Sequence, residues 1–227
     1  MNPLCIVFDL DDTLYLEREY VWSGFRALEP WVKSNLGVRD FRASAWRLFE
    51  QGVRGRIFDE VLLQSGVEPR PLTITTMVDL YRRHRPRINM APDADRCLER
   101  LQGRVDLALI TDGPECSQRN KIDALCIGWR FQKVVLTSTL GATYEKPHVK
   151  AFLAVQETLG GPADRYIYVG DNPQKDFVGP RRLGWKTVRI RRAQGLYSSA
   201  ESVQGEDADH EVFELTSQFD SLFSVWG

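Results

Sequence analysis

Apolar positions along the chain follow two different periods. Continuous apolar runs at 4–8, 107–110, 134–137 and 166–170 are short and bounded by polar residues, so each reads as a buried strand. Between the first and second runs the period becomes helical. Val21, Phe25, Leu28 and Val32 recur at i, i+4, i+7 and i+11, and Phe41, Ala45, Leu48 and Phe49 keep the same rule, as do Ile74, Met77, Val78 and Tyr81. Breaks fall at Asn35-Leu36-Gly37, Gln51-Gly52 and Ser65-Gly66. The pattern predicts an all-helical module at 16–87, bounded by Tyr15-Leu16 and by 86–92, interrupting a βαβ chain made of 1–15 and 88–227. An insertion at that point lies over the carboxyl ends of the strands, where open α/β sheets bind ligands. After Ile190 the chain is polar through 198–209. It then predicts a short strand and a terminal helix carrying Phe213, Leu215, Phe219 and Leu222, packed on the core.

The polar residues that end each strand carry the candidate chemistry. The first run leads into Asp9-Leu10-Asp11-Asp12-Thr13. Asp9 and Asp11 are two apart, so along an extended strand end their side chains leave the same side. Packing gives no reason for two carboxylates there, because unpaired buried charge is costly. A divalent cation relieves the repulsion, and an oxygen-rich carboxylate site suits magnesium. One Asp could then attack an electrophile while the other moves a proton. An acidic turn with Asp12-Thr13 capping a helix is the plainer alternative. The second run ends in Thr111-Asp112-Gly113, a hydroxyl followed by a turn whose N–H groups can hold an anion. The third is followed by Lys146-Pro147, where Pro suits the first turn of a helix at 149–159 and Lys can hold a phosphate as a point charge. The fourth runs into Asp171 and Asp176, a second acidic pair that supplies a further metal ligand and its support.

In chain order this is an acidic pair, Thr, Lys-Pro and a second acidic pair, each after a predicted strand. The set resembles the haloacid dehalogenase superfamily, from Cys5 to about Ile190. Ile110-Thr111-Asp112-Gly113 with Gln118 and Lys121, and Lys146-Pro147 with Phe152, are similar to its phosphatase branch. The resemblance implies a Rossmann-like three-layer α/β core with a parallel sheet plus an inserted α-helical cap that closes over the substrate. It implies that Asp9 is the nucleophile, forming an aspartyl-phosphate, and that Asp11 is the acid and then the base. Mg²⁺ is implied between Asp9, the Asp11 carbonyl and Asp171, with Asp176 supporting. Thr111 and Lys146 are implied to hold the phosphoryl oxygens. Asp11 favours phosphate monoesters over dehalogenation, since an alkoxide leaving group needs a proton. Two departures stand out: Asp112 replaces the commoner Asn, which changes charge near the substrate, and Pro180 stands where a small helix residue is usual. A sugar phosphomutase and a catalytically idle interaction protein are the alternatives on the same fold.

Composition narrows the class further. A chain of 227 residues suits a core with an inserted module, and a net charge of −1 gives no global attraction to nucleic acid or anionic membrane. No apolar run approaches the about 20 residues of a bilayer span. The opening directly on a core strand leads us to expect no secretory signal. Cys5, Cys97, Cys116 and Cys126 lack CxxC spacing and read as reduced thiols of a cytoplasmic protein, neither disulfide framework nor zinc site. The expected partner is a small phosphorylated metabolite, with no nucleic acid or membrane, for a monomer or homodimer. The basic run Arg82-Arg83-His84-Arg85-Pro86-Arg87 reads as a solvated helix face and hinge. Trp22, off the main apolar stripe of its helix, is the aromatic most suited to a substrate pocket.

Overall fold

The computed structural model describes residues 4–202, 205–216, 219, 221 and 222. The elements in chain order are β1 Cys5–Phe8, α1 Glu17–Leu36, α2 Phe41–Glu50, α3 Ile57–Gln64, α4 Pro71–Arg83, α5 Pro92–Leu101, β2 Asp106–Thr111, α6 Glu115–Ala124, β3 Lys133–Leu136, α7 Lys150–Leu159, β4 Tyr166–Gly170, α8 Val178–Arg182, β5 Lys186–Ile190 and β6 His210–Val212. They fall into two compact units, Met1–Arg18 with Asn89–Gly227, and Glu19–Ile88. Among the described residues no helix is long and apolar enough to cross a membrane.

The first unit is α/β. Its sheet has the order β3-β2-β1-β4-β5-β6 and every pairing is parallel. β1 is central, with Cys5 opposite Asp106 on one side and Tyr166 on the other. Each residue of β1 is fully buried, which is why the strand reads as an unbroken apolar run rather than an alternation. Cys5, Val7, Ala108, Ile110, Tyr166 and Tyr168 share one core with Phe152 of α7 and with Trp185, which stacks on Tyr166 at 4.5 Å between ring centroids. Phe8 meets Phe219, 6.5 Å away. Leu215 and Phe219 are buried and Phe213 is exposed, while the expected terminal helix falls largely outside the described residues.

Three sequence expectations shift. The β2 strand includes Thr111, and β3 ends before Thr137, which opens a short 3₁₀ turn. Pro147 does not start α7: a cis Lys146-Pro147 peptide precedes a turn, and the helix begins at Lys150. The difference comes from the His148 N–H bond to the Glu145 carbonyl, which closes that turn before the helical ladder begins.

The second unit is helical, and its first three helices end at Leu36, Glu50 and Gln64, each within two residues of a glycine. Val21, Phe25, Leu28 and Val32 are buried as their spacing predicts, and so are Phe41, Ala45, Leu48 and Phe49. In α4 only Met77 of the expected stripe is fully buried; Ile74, Val78 and Tyr81 are half-buried. The centre of the unit is a ring cluster of Phe25, Phe41, Phe58 and Tyr81 with centroid separations of 5.8–6.3 Å.

Candidate active site

The site begins where β1 stops. The Asp9 N–H still bonds to the Val169 carbonyl at 2.8 Å, so Asp9 is held as an extra rung between β1 and β4. The chain then turns back: Leu14 N–H reaches the Leu10 carbonyl at 3.0 Å, and Asp12 adopts φ 51°. Asp tolerates this left-handed conformation better than most residues, and here its carboxylate accepts the Glu17 and Leu196 N–H groups at 2.8 and 2.7 Å. Arg192 adds two bonds to the Thr13 carbonyl, 2.9 and 2.6 Å, and a bidentate grip on Asp93. Asp12 is therefore a loop anchor, and burial pushes its carboxyl up to about 6.

Lys146 enters from the loop before α7 and is the hub of the acids. Its ammonium lies 2.7 Å from Asp9 Oδ1, 2.8 Å from Asp176 Oδ1 and 2.9 Å from the Tyr168 hydroxyl. Burial alone opposes its charge, but Asp176 and Asp9 hold it well above the usual lysine range. Asp176 is satisfied on both oxygens, since Tyr168 OH bonds Oδ1 at 3.2 Å and Asn172 N–H bonds Oδ2 at 2.8 Å. Burial pushes the Asp9 carboxyl up to about 7, with Lys146 opposing the rise.

Asp171, at the end of β4, is buried, and among the described residues its carboxylate makes no hydrogen bond or ion pair. Burial, with Asp176 and Asp9 nearby, raises its pKa well above the usual range. One oxygen from each of Asp9, Asp171 and Asp176 lies within 4.8 Å of the others. Lys146 serves two of these three carboxylates and leaves Asp171 unmet. That donor set, hard oxygens in excess of cations with one orphaned carboxylate, fits a divalent cation.

Asp11 lies apart from this hub, beside α6. Lys121 Nζ meets its two oxygens at 2.7 and 2.9 Å, the Tyr15 hydroxyl donates to Oδ1, and Gln118 Nε2 is 3.5 Å from Oδ2. Burial pushes the Asp11 carboxyl up, yet Lys121, by charge and hydrogen bond, and Tyr15 hold it below the ordinary range. The Thr111 hydroxyl is fully buried and donates to Gln118 Oε1 at 3.1 Å. Asp112, which the sequence places beside Thr111 as a substrate-binding candidate, has both oxygens bonded within the protein. Oδ1 accepts from Thr137 at 2.8 Å and from Lys146 N–H at 3.1 Å, and Oδ2 pairs with Lys175 at 2.9 Å. Its charge, where Asn is commoner, is matched by Lys175. Trp22 lies in the helical unit, 39 % exposed, edge-on to Trp46 at 5.0 Å with the Arg42 guanidinium 5.1 Å from its ring.

Sequence reasoning named Gln118 and Lys121 only as part of a resemblance and missed Tyr15, Tyr168 and Lys175 as site residues. A signal for the first two was present: α6, Glu-Cys-Ser-Gln-Arg-Asn-Lys-Ile-Asp-Ala, has no apolar stripe to bury. Its core-facing residues had to be polar ones with partners.

Acids and lysines gathered at the carboxyl ends of the central strands of a parallel sheet define an α/β enzyme with its site at that end of the sheet. The chain belongs to the haloacid dehalogenase-like hydrolases, whose family model matches residues 6–190. It is 30 % identical over 217 residues to the glyceraldehyde 3-phosphate phosphatase of Methanopyrus kandleri, covering 91 % of each chain. Among solved structures, the putative HAD-hydrolase YfnB of Bacillus subtilis, bound to magnesium, is similar in fold: TM-score 0.71, 18 % identity, all of both chains covered. A putative β-phosphoglucomutase of Thermotoga maritima also reaches a TM-score of 0.71, at 16 % identity over 98 % of this chain and 99 % of its own.

Proposed function

We propose that the protein hydrolyses a small phosphate monoester through an aspartyl-phosphate on Asp9. The observation that carries this reading is the division of labour between two carboxylates two residues apart. Asp9 is paired with Lys146 beside Asp171 and Asp176, whereas Asp11 is paired with Lys121. Asp9 Oδ attacks phosphorus, the P–O bond to the alcohol breaks, and the leaving oxygen takes a proton from Asp11. In the second half Asp11 accepts a proton from water as the water oxygen bonds to phosphorus. The Asp9–phosphorus bond breaks and inorganic phosphate leaves. Lys146 neutralises charge at the nucleophile, and the N–H groups after Thr111 face the phosphoryl oxygens. Asp9, Asp171 and the Asp11 carbonyl, with Asp176 supporting, would hold Mg²⁺, which would supply positive potential where charge accumulates.

The similarity to a glyceraldehyde 3-phosphate phosphatase supports three-carbon phosphate esters as the first substrates to test. A phosphomutase returns the phosphoryl group to a sugar, and an idle scaffold has no reason to keep a buried carboxylate such as Asp171 without a partner. The test is release of inorganic phosphate from a panel of phosphorylated metabolites, with and without Mg²⁺, by the wild type and Asp9→Asn. Magnesium-dependent release that Asp9→Asn abolishes is expected. Release unaffected by a chelator, or conversion of one sugar phosphate isomer to another with no free phosphate, overturns the reading. We further assign ester selection to the helical unit, so Trp22→Ala should reorder the substrate panel while sparing a small aryl phosphate.

A further inference from the structure

We propose that α6 is the positioning element of the proton-transfer step: Lys121 and Gln118, with Tyr15, aim the Asp11 carboxylate. This rests on the hydrolase reading above and adds residues to it. Helix α6 follows the Thr111-Asp112-Gly113 turn directly, so whatever it carries on its inner face reaches the end of β1 next door. That inner face is Ser117, Gln118, Lys121 and Ile122, all buried. Gln118 and Lys121 are i and i+3, one above the other on the helix surface.

A lysine 3 % exposed on a packed helix is expensive unless its charge is met, and a leucine there would pack without that cost. Lys121 meets both oxygens of Asp11. Tyr15, fully buried one helical turn along the same loop, donates to the oxygen that Lys121 approaches at 2.7 Å. Gln118 joins two site residues with one amide, Oε1 to the Thr111 hydroxyl and Nε2 toward Asp11 Oδ2. Turning that amide over would set its oxygen against the Asp11 carboxylate, so the network fixes its orientation. Gly113, at φ 114°, lets the helix come this close, because a Cβ there would lie 2.8 Å from Gln118 Nε2. An aspartate has two free torsions, and three donors from two segments remove both. Proton transfer needs that precision, since it requires the carboxylate within hydrogen-bond reach of the moving proton.

The consequence is separable from folding. Lys121 also holds down the pKa of Glu17, so the double variant with Asp11→Asn separates what Lys121 does through Asp11 from what it does elsewhere. We therefore take Lys121→Met and Lys121→Arg in the wild type and in Asp11→Asn, assayed on an aryl phosphate in Mg²⁺ with thermal melts as the folding control. In the wild type, Lys121→Met should lower kcat with KM unchanged, by no more than the roughly 10²–10⁴-fold of removing the acid–base group itself. Water attack should slow more than phosphorylation for a good leaving group. The variant should then show a burst of phenolate equal to one per active site. In Asp11→Asn the same substitution should cost nothing further, because the group it positions is gone. Lys121→Arg, which keeps the charge, should recover part of kcat and serves as the test if the Met variant fails to melt cooperatively. Losses that multiply in the double variant, or a rise in KM that accounts for the loss, overturn the positioning role. A wild type that releases no phosphate from any ester overturns the hydrolase reading and this role with it.

Discussion

Asp9 and Asp11 leave one strand end two residues apart, and each has its own lysine. The separation predicts different phenotypes for isosteric changes. Asp9→Asn should abolish turnover and the acid-stable phosphoenzyme while leaving the fold intact, measured by phosphate release and by trapping with labelled substrate. Asp11→Asn should slow turnover by roughly 10²–10⁴-fold, and more for alkyl than for aryl esters in the first step. Wild-type rate in Asp9→Asn would assign the nucleophile elsewhere. At Asp112 the expectation concerns stability. Asp112→Ala leaves the Thr137 hydroxyl, the Lys146 N–H and the Lys175 ammonium without their acceptor, so urea unfolding should show a loss of about 1–3 kcal/mol. Asp112→Asn keeps the Oδ1 acceptor and should cost less; equal losses would mean that the ion pair to Lys175 dominates. Asp9, Asp11 and Asp171 were legible because polar residues right after apolar strands stand out against the run that precedes them, and Lys146 and Asp176 because they complete a motif order in the loops that follow. Tyr15, Tyr168 and Lys175 were not, because a tyrosine in an apolar stretch or a lysine in a turn looks the same in sequence whether it serves packing, solvent or a carboxylate.

Whether a stripe is complete decides how well an element can be read. In α1 and α2 every position the period predicts is buried, and α1 buries Tyr20, Ser23 and Gly24 as well, so its buried face is broader than the stripe. In α4 the period is present but burial concentrates at Met77, while Tyr81 of the same stripe packs against Phe58 at 5.8 Å. The contact that sets this geometry is between α1 and α4 of the helical unit. A Cβ on Gly24 would lie 2.3 Å from Tyr81 Cε2, and that ring is hemmed in by Tyr20, Phe25, Phe58 and His84. Alanine in place of glycine improves helix propensity by about 1 kcal/mol, but overpacking a filled core costs about 1–3 kcal/mol. The clash should win, so Gly24→Ala should lower the urea midpoint. An unchanged or raised midpoint would mean Tyr81 moves aside freely and does not hold the two helices at their distance. The loop after β1 is the opposite case. Nothing periodic marks it, and Asp12 at φ 51° with Arg192 and Asp93 around it depends on residues distant in sequence, so only the fold reveals it.

For the whole molecule the acids set how stability varies with pH. Asp9 and Glu17 are raised to about 7, Asp12 to about 6, and Asp171 well above its ordinary value, chiefly by burial. In the unfolded chain these groups titrate near 4. Between pH 4 and 7 the folded protein therefore binds more protons than the unfolded one, so metal-free stability falls as pH rises through that window. Asp11, Asp93 and Asp112 are held low and act in the opposite sense, but only below about pH 4, where their unfolded forms take up protons. A cation that needs Asp9 and Asp171 ionised reverses the trend at neutral pH, because binding favours the deprotonated folded state. Chelator-treated protein should thus melt at a higher temperature at pH 5.5 than at pH 7.5. Millimolar Mg²⁺ should raise the melting temperature markedly at pH 7.5 and little at pH 5.5. Asp171→Asn removes the orphaned carboxylate, so it should lift metal-free stability at pH 7.5 and erase most of the response to Mg²⁺. A melting temperature at pH 7.5 that ignores Mg²⁺ in the wild type would mean the three carboxylates hold no cation. The raised pKa values of Asp9 and Asp171 would then favour their protonated forms in the folded protein.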